Sequence, residues 1–353
     1  MAGRKLCFVI FFIITTNTYP QQLSGHVLDA TTGEPLIGTN VFLANTTLGC
    51  STDQLGHFSI PHIPFGKYNL IISHMGYKLE KQGIEFYTTD PIQLTIQLQP
   101  RILEMESVGI SAKEDEDWKD KYKIFEREFL GTSCYAKECK ISNPYCIDLF
   151  NSSDSTFLYA KSDSLLAIEN NALGYKILFL IDNFSYHYKK EMTKFCIYPV
   201  FIEYQSDNKN DLKQWSKNRE SAYIGSMQHF WKTLVHKELH ESDFIIRKKG
   251  IKKKGPSGIG AFQNYLPAKT LYSYVTLINV KREFYSFDCP EYPTTFYIKY
   301  GIYADESRMV IRNGPIVLGR MGNPLDNDMI FIYNGWAKLR VGDALPLNYS
   351  PVE

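Results

Sequence analysis

Short apolar runs separated by turn residues dominate the pattern of the chain between residues 25 and 98. Glycine, proline and aspartate interrupt these runs about every 8–12 residues, which is the strand spacing of an all-β sandwich. A stretch of this length is sufficient for one small sandwich with a single core. The runs that we expect to form its strands are 27–28, 41–43, 58–60, 68–72 and 92–98.

Helical periodicity is clearest in two later regions of the chain. Apolar residues recur at helical spacing over residues 118–129, and Gly131 is placed to end that helix. They recur again over residues 211–240, where Gly225 interrupts the pattern and Ser226 can cap a second helix. The sequence therefore predicts one helix before the C-terminal strands and a helical insertion among them.

After Leu271 the pattern returns to short aromatic and β-branched runs. Asn313 and Gly314 separate two of these runs and predict a hairpin turn. The predicted fold class is mainly β: an N-terminal sandwich followed by a β-rich α+β domain with a helical insertion.

Residues 1–20 have the pattern of a secretory signal peptide. Arg4 and Lys5 precede the apolar run 6–14, and small and polar residues follow it. The run is too short to span a membrane, and no later stretch reaches about 18 apolar residues. Cys7 lies inside the run, which argues against a lipoprotein anchor. We expect an exported chain, periplasmic, outer-membrane-associated or secreted, without a transmembrane helix.

Composition and charge change this picture little. The formal net charge is +1, so no global field favours nucleic acid, and we expect no nucleic-acid partner. The aromatic content of 14% suits cross-strand packing in a β-rich protein. A tyrosine-rich recognition surface is the alternative, and we favour packing.

The cysteine pattern favours disulfides or buried thiols over a metal centre. Outside the signal segment an exported chain can oxidise its cysteines, and six of them allow 15 pairings that sequence does not distinguish. The C-x4-C-x6-C spacing within the cluster at 134–146 lacks the C-x2-C pairs of structural zinc sites. The six are Cys50, Cys134, Cys139, Cys146, Cys196 and Cys289.

Two motifs suggest catalysis, and neither is complete. His236 and His240 have the i, i+4 spacing of two zinc ligands on one helical face, but Glu238 is not placed as in H-E-x-x-H. The segment 255–258 contains Ser257 between glycines without the strand-turn-helix context of a nucleophile elbow. We therefore predict no catalytic residues, no metal and no cofactor.

A candidate ligand surface lies on the helical insertion. Trp215, Asn218, Arg219, Tyr223 and His229 are polar or aromatic residues on its surface, and the Arg219 guanidinium can stack on the Trp215 indole one turn before it. The alternative, which we favour, is a helix pair that packs against the sheet. The basic run 247–254 is interpreted as a lysine-rich loop, with anion binding as its alternative.

The N-terminal stretch resembles a known family. The opening G-x-V-x-D-x-x-T-G-E-P-L-x-G-x-N-V at 25–41, T-D-x-x-G-x-F-S-I at 52–60 and Gly76-Tyr77 resemble the carboxypeptidase-like regulatory domain, a transthyretin-like β-sandwich. The resemblance implies a non-catalytic accessory fold that occurs beside zinc carboxypeptidases and at the start of Bacteroidota envelope proteins, including TonB-dependent receptors. About 240 residues follow it here, too few for a plug and a large outer-membrane barrel.

The rest of the chain is similar to the downstream region of uncharacterised Bacteroidota-type envelope proteins. The similarity lies in spaced motifs at 129–144, 168–177, 215–230 and 335–351, and it implies no activity. We therefore expect an exported non-catalytic envelope or cell-surface protein that binds a protein or glycan partner; the alternative is a secreted hydrolase or peptidase-associated protein. The predicted parts are 1–20 signal peptide, 21–100 regulatory-like sandwich, 101–122 linker and 123–353 β-rich domain.

Overall fold

The computed structural model describes residues 21–88, 90–101, 116–162, 164–249, 263–266, 271, 276–281, 284–302, 304–325 and 329–351. The predicted signal peptide, most of the predicted linker and the 255–258 segment lie outside these residues. The helices are α1 (Glu116–Leu130), α2 (Lys209–Tyr223) and α3 (Met227–His236).

Strands dominate the described part of the chain, which confirms the mainly β fold class. They are β1 (Gln21–Asp29), β2 (Asn40–Leu43), β3 (Gly49–Ser51), β4 (His57–Ile63), β5 (Gly66–Ser73), β6 (Glu80–Phe86), β7 (Ile92–Leu98), β8 (Cys139–Ile141), β9 (Ile147–Asn151), β10 (Phe157–Ser162), β11 (Leu166–Asn170), β12 (Tyr175–His187), β13 (Met192–Glu203), β14 (Phe244–Lys249), β15 (Gln263–Leu266), β16 (Thr276–Lys281), β17 (Phe284–Asp288), β18 (Thr294–Tyr300), β19 (Ser307–Ile311), β20 (Ile316–Leu318) and β21 (Ile330–Asn334).

The N-terminal strands form the predicted β-sandwich. One sheet has the order β4-β1-β7, with β7 parallel to β1, and the other has the order β3-β2-β5-β6. Alternate residues of both sheets point inward, so that Leu23, Val41 and Leu70 are fully buried between them. Burial of this apolar surface is the main force that holds the two sheets together.

The motif residues of the sandwich build its turns. Tyr77 donates its hydroxyl proton to Asp29 at 2.6 Å, and the amides of Thr31 and Thr32 donate to the same carboxylate at 2.6 and 3.1 Å. These hydrogen bonds, that of Tyr77 first, hold the pKa of Asp29 below its usual value. The turn then passes through Gly33 at a φ of +74°, which glycine adopts without a steric cost. The family motif therefore has a structural role.

A third sheet follows α1. Its strands have the order β8-β11-β12-β10-β9, with β13 paired to β12. Phe125 and Phe129, fully buried on one face of α1, pack against this sheet. The predicted helix 118–129 is confirmed: it begins at Glu116, within the predicted linker, and Gly131 follows its end at a φ of +95°.

The remaining strands form two further sheets around a separate core. Their orders are β15-β14-β18-β19-β21 and β16-β17-β20. Phe230, Trp231 and Leu234 of α3 are buried in this core. The region predicted as one β-rich domain therefore contains two core clusters.

Two local predictions are wrong in this region. Asn313 and Gly314 do not form a hairpin, because β19 pairs on its two edges with β18 and β21 while β20 pairs with β17. Arg247, with the two lysines after it, lies in β14 rather than in a loop. The remainder of that basic run, from residue 250, lies outside the described residues.

The loop between β2 and β3 attaches the sandwich to the third sheet, which contains β13. The Asn45 amide donates to the Pro199 carbonyl oxygen at 2.5 Å, and the Phe201 amide donates to the Thr46 carbonyl oxygen at 3.0 Å. Through these two hydrogen bonds the loop pairs with the edge of β13 that faces away from β12. On its other side the Leu347 amide donates to the Asn45 carbonyl oxygen at 2.7 Å, so the C-terminal segment fixes the loop in place.

We expect a fragment of residues 21–101 to fold alone, because the buried residues of its core all lie within 23–98. Without the hydrogen bonds at Asn45 and Thr46, it should melt below the full chain. Circular dichroism and thermal melting test this expectation. A disordered spectrum would show that later residues are needed to complete the sandwich.

Candidate functional site

The middle of α2 is attached to the turn between β11 and β12 by side-chain hydrogen bonds. The Trp215 indole N–H, the Asn218 amide and the Arg219 Nε–H donate at 2.9, 2.7 and 2.7 Å to three successive carbonyl oxygens, those of Asn171, Ala172 and Leu173. Three of the five residues predicted as a ligand surface thus lie together, and their polar groups are used within the chain.

The Arg219 guanidinium stacks on a different ring from the one predicted. Its central carbon lies 3.9 Å from the centroid of the Tyr175 ring, not on Trp215. Trp215 covers Gly174 instead, where a Cβ atom would lie 2.4 Å from the indole. A second nitrogen of Arg219 donates to the Gly174 carbonyl oxygen at 3.0 Å, and Glu203 lies 3.5 Å from the guanidinium.

Tyr223 and His229, the other two predicted residues, meet at the joint between α2 and α3. Their ring centroids are 4.9 Å apart, and His229 Nδ1 accepts a hydrogen bond from the Gly225 amide at 3.0 Å. Burial lowers the pKa of His229 and raises that of Tyr223 to about 12, so both rings are neutral near pH 7. The predicted Ser226 cap is confirmed by its contact with the His229 amide.

A shallow groove of about 260 Å³ runs beside this joint. Lys232 lies in it and donates to the Ser350 hydroxyl at 2.6 Å, and burial lowers the pKa of its ammonium group. The ligand role of Trp215, Asn218, Arg219, Tyr223 and His229 stays a prediction. Their described contacts are those of a helix pair packed against the sheets.

His236 and His240 lie at and beyond the end of α3, so they do not share the helical face that the zinc-ligand alternative needs, and the favoured interpretation of a solvated helix end agrees with this placement. Lys237 adopts a φ of +64°, and the Glu238 amide donates to the Thr233 carbonyl oxygen at 2.9 Å, which is the hydrogen bond of a Schellman helix end. His240 thus lies beyond the helix, beside Glu241. Among the described residues no group of three or more His, Cys, Asp or Glu is arranged to hold a metal ion.

The described cysteines differ in exposure, from the exposed Cys134 to the buried Cys289. Cys50, Cys134, Cys139 and Cys289 form no disulfide. Burial raises the pKa of Cys139 to about 12 and that of Cys289 to about 11. Because the thiolate is the reactive form, these two thiols are poor nucleophiles.

A cleft of about 380 Å³ lies between the sandwich and the sheet that contains β20. Lys67, Glu85 and Tyr87 form its sandwich wall, and residues 313–317, Leu325 and Met329 form the facing wall. The Lys67 ammonium and Glu85 carboxylate are 3.3 Å apart at the half-exposed rim. The cleft combines an apolar wall with a few polar groups, as ligand sites between domains commonly do.

Tyr87 gives this cleft an aromatic surface. Its ring centroid lies 4.8 Å from that of Phe284. Burial, with a hydrogen bond to Glu85, raises the pKa of Tyr87, so its hydroxyl group is protonated near pH 7 and donates to that carboxylate, while the ring is the part that faces the cleft.

Sequence reasoning did not identify this cleft. Lys67 and Glu85 face each other only through the register of β5 and β6, and the facing wall comes from a distant part of the chain. The alternation in β5 was the one available signal, and it indicates a strand without showing what the strand faces.

None of the helices in the described part of the chain has the length and apolar composition needed to cross a bilayer. A search of curated proteins finds no match to this chain.

Several solved structures share limited similarity with the chain. A cohesin–X-dockerin complex from Acetivibrio cellulolyticus is 21% identical over 22% of this chain and 56% of its own, with a TM-score of 0.19. A protein of unknown function from Bacteroides fragilis is 13% identical over 53% and 83%, with a TM-score of 0.19. A proposed carbohydrate-binding protein from Bacteroides uniformis is 6% identical over 85% and 99%, also with a TM-score of 0.19.

These likenesses carry no argument about function at such TM-scores, and the match spans less than two thirds of the cohesin-complex chain. The family comparison is specific. The model of the CarboxypepD_reg-like domain family matches residues 23–110, which include the whole sandwich from Leu23 onward. Residues 23–110 of this chain are therefore a carboxypeptidase regulatory-like domain.

Proposed function

We propose that this chain is an exported, non-catalytic protein of the cell envelope or cell surface that binds a protein or glycan partner. In this proposal residues 1–20 direct export, residues 21–100 form the regulatory-like domain, and residues 101–122 connect it to the β-rich remainder, 123–353. The location is periplasmic, outer-membrane-associated or secreted.

The observation that carries the binding role is the cleft between the sandwich and the β-rich remainder. Lys67 and Tyr87 on one side and residues 313–317 on the other line it, so both parts of the chain contribute to one site. Sugars and peptides suit such a site, because their apolar faces pack on an aromatic ring while their polar groups bond to the rim.

The helix pair is a weaker candidate for this role. The polar groups of Trp215, Asn218 and Arg219 already bond to the chain, so a ligand would have to displace those bonds. The hydrolase alternative has no specific observation in its favour among the described residues.

Binding of the purified full chain to an immobilised glycan array tests the proposal. We expect at least one glycan class to bind, and we expect the double substitution Lys67→Ala and Tyr87→Ala to weaken that binding by about tenfold or more, because tyrosine anchors carry much of the energy at binding sites. Lys140→Ala, an exposed change on β8, is the control and should bind as the wild type does. Absence of binding would contradict a glycan partner, and equal binding by the double variant would contradict the cleft as the site.

A further inference from the structure

The outer face of the sheet β15-β14-β18-β19-β21 carries an alternating row of arginine and tyrosine. In register across four neighbouring strands stand Arg247, Tyr297, Arg308 and Tyr333. The alternate residues of β18 and β19, among them Phe296 and Met309, are buried on the opposite face. We call the outer row, with Phe331 and Arg312 beside it, the arginine–aromatic face.

Two arginines of this face lie flat on aromatic rings. The guanidinium carbon of Arg308 is 4.0 Å from the centroid of the Tyr333 ring, and that of Arg312 is 3.9 Å from the centroid of the Phe331 ring. Stacking uses the flat surface of a guanidinium and leaves the N–H groups at its edge able to donate. The rings therefore fix the two cations in orientations that suit paired hydrogen bonds to an anion.

The charges of Arg308 and Arg312 are not compensated within the described residues. Arg247 is paired with Glu306 and Lys248 with Glu291, whereas Arg308 and Arg312 make no ion pair in that part of the chain, and Arg308 Nε is enclosed without a hydrogen-bond acceptor. The sequences of β14, β18, β19 and β21 contain no Asp or Glu, and their basic residues are Arg247, Lys248, Lys249, Lys299 and Arg308.

The spacing of the two cations indicates an extended ligand. Arg308 and Arg312 are four residues apart along extended chain, which corresponds to about 13 Å. One small anion does not reach both, but a polymer with repeated negative groups does. Nucleic acid and acidic polysaccharide both have this property, and export of the chain favours the polysaccharide.

We propose that the arginine–aromatic face binds an acidic polysaccharide, with Arg308 and Arg312 on its carboxylate or sulfate groups and Tyr297, Tyr333 and Phe331 against its sugar rings. This inference rests on the proposed function and names the chemical class of its partner. The face is continuous with the cleft: the Arg312 amide donates to the carbonyl oxygen of Met329, a cleft residue, at 2.9 Å, and Arg312 adjoins Asn313. One glycan chain can therefore extend from the cleft along the sheet.

Titration calorimetry of the full chain with a galacturonate hexamer tests this inference. The double substitution Arg308→Gln and Arg312→Gln should weaken binding by about tenfold or more, since each lost contact is a charge-assisted hydrogen bond. Tyr333→Leu should weaken it severalfold without changing the charge. The matched control, Lys213→Gln with Lys217→Gln, removes two exposed charges from α2 and should remain within about twofold of the wild type, because isolated surface charges contribute little. Melting curves identify any variant that has lost its fold.

Three results would overturn the inference: no binding of the hexamer, equal loss in the α2 control, or an oligothymidine hexamer that binds as tightly as galacturonate. Binding of the neutral maltohexaose distinguishes failure of this inference from failure of the proposed function. If a neutral glycan binds and the Lys67→Ala and Tyr87→Ala variant loses it, the cleft stands and only the acidic class is wrong. If no glycan binds, this inference and the glycan form of the proposed function both fail.

Discussion

Replacing Arg219 with alanine is expected to lower the free energy of unfolding by about 3 kcal/mol. The guanidinium donates to the carbonyl oxygens of Leu173 and Gly174 and stacks on the Tyr175 ring, with only 13% of its side chain exposed. Its removal leaves the Leu173 carbonyl oxygen without a donor where little water enters, and leaves the Gly174 carbonyl oxygen with the Tyr204 amide alone. Urea denaturation followed by circular dichroism measures the change.

Lys217→Ala is the matched control for Arg219, because it is an exposed basic residue on the same helix. It should change the free energy of unfolding by no more than about 0.5 kcal/mol. If Arg219→Ala is as stable as this control and instead abolishes ligand binding, Arg219 belongs to a ligand surface and its packing role is wrong.

Replacing Gly322 with alanine is expected to cost about 3 to 4 kcal/mol of unfolding free energy. Gly322 has a φ of +75°, and a Cβ atom there would lie 2.4 Å from the Lys232 amide nitrogen and 2.6 Å from the Trp231 carbonyl carbon. The left-handed conformation costs an alanine about 1 to 2 kcal/mol, and the clash with the backbone of α3 adds about 1 to 3 kcal/mol.

Gly301→Ala separates the two contributions. Gly301 has a φ of +62°, but a Cβ atom there meets nothing within 4 Å, so its replacement should cost only the conformational part, about 1 kcal/mol. Thermal and urea unfolding of both variants measure the difference. Equal costs at the two positions would show that α3 does not approach residue 322 closely.

Local chemistry made the sandwich and the helices predictable. Turn residues at regular spacing defined the strands of residues 25–98, and the glycine at 225 with the serine cap after it separated α2 from α3. These signals act over a few residues, so a single sequence contains them in full. The Schellman end at Lys237 is also local, but lysine rarely adopts its left-handed conformation, so the helical pattern was followed to residue 240 although α3 ends at His236.

Strand pairing was not predictable in the same way. Asn313-Gly314 is a strong hairpin signal, but it operates only where the flanking strands have free edges for each other, and β19 has both of its edges occupied. For the same reason, the binding surfaces were not predictable from the sequence. Arg308 and Tyr333 become neighbours only through the register of β19 and β21, and the cleft exists only after Tyr87 has been brought to residues 313–317.

The central claim is that a glycan binds along the cleft and the arginine–aromatic face. Hydrogen–deuterium exchange of the full chain, with and without the galacturonate hexamer, tests it most directly. We expect slower exchange in β18, β19 and β21 and in residues 313–317, with no change in α2 or α3. Protection confined to the helix pair, or no protection anywhere, would contradict it.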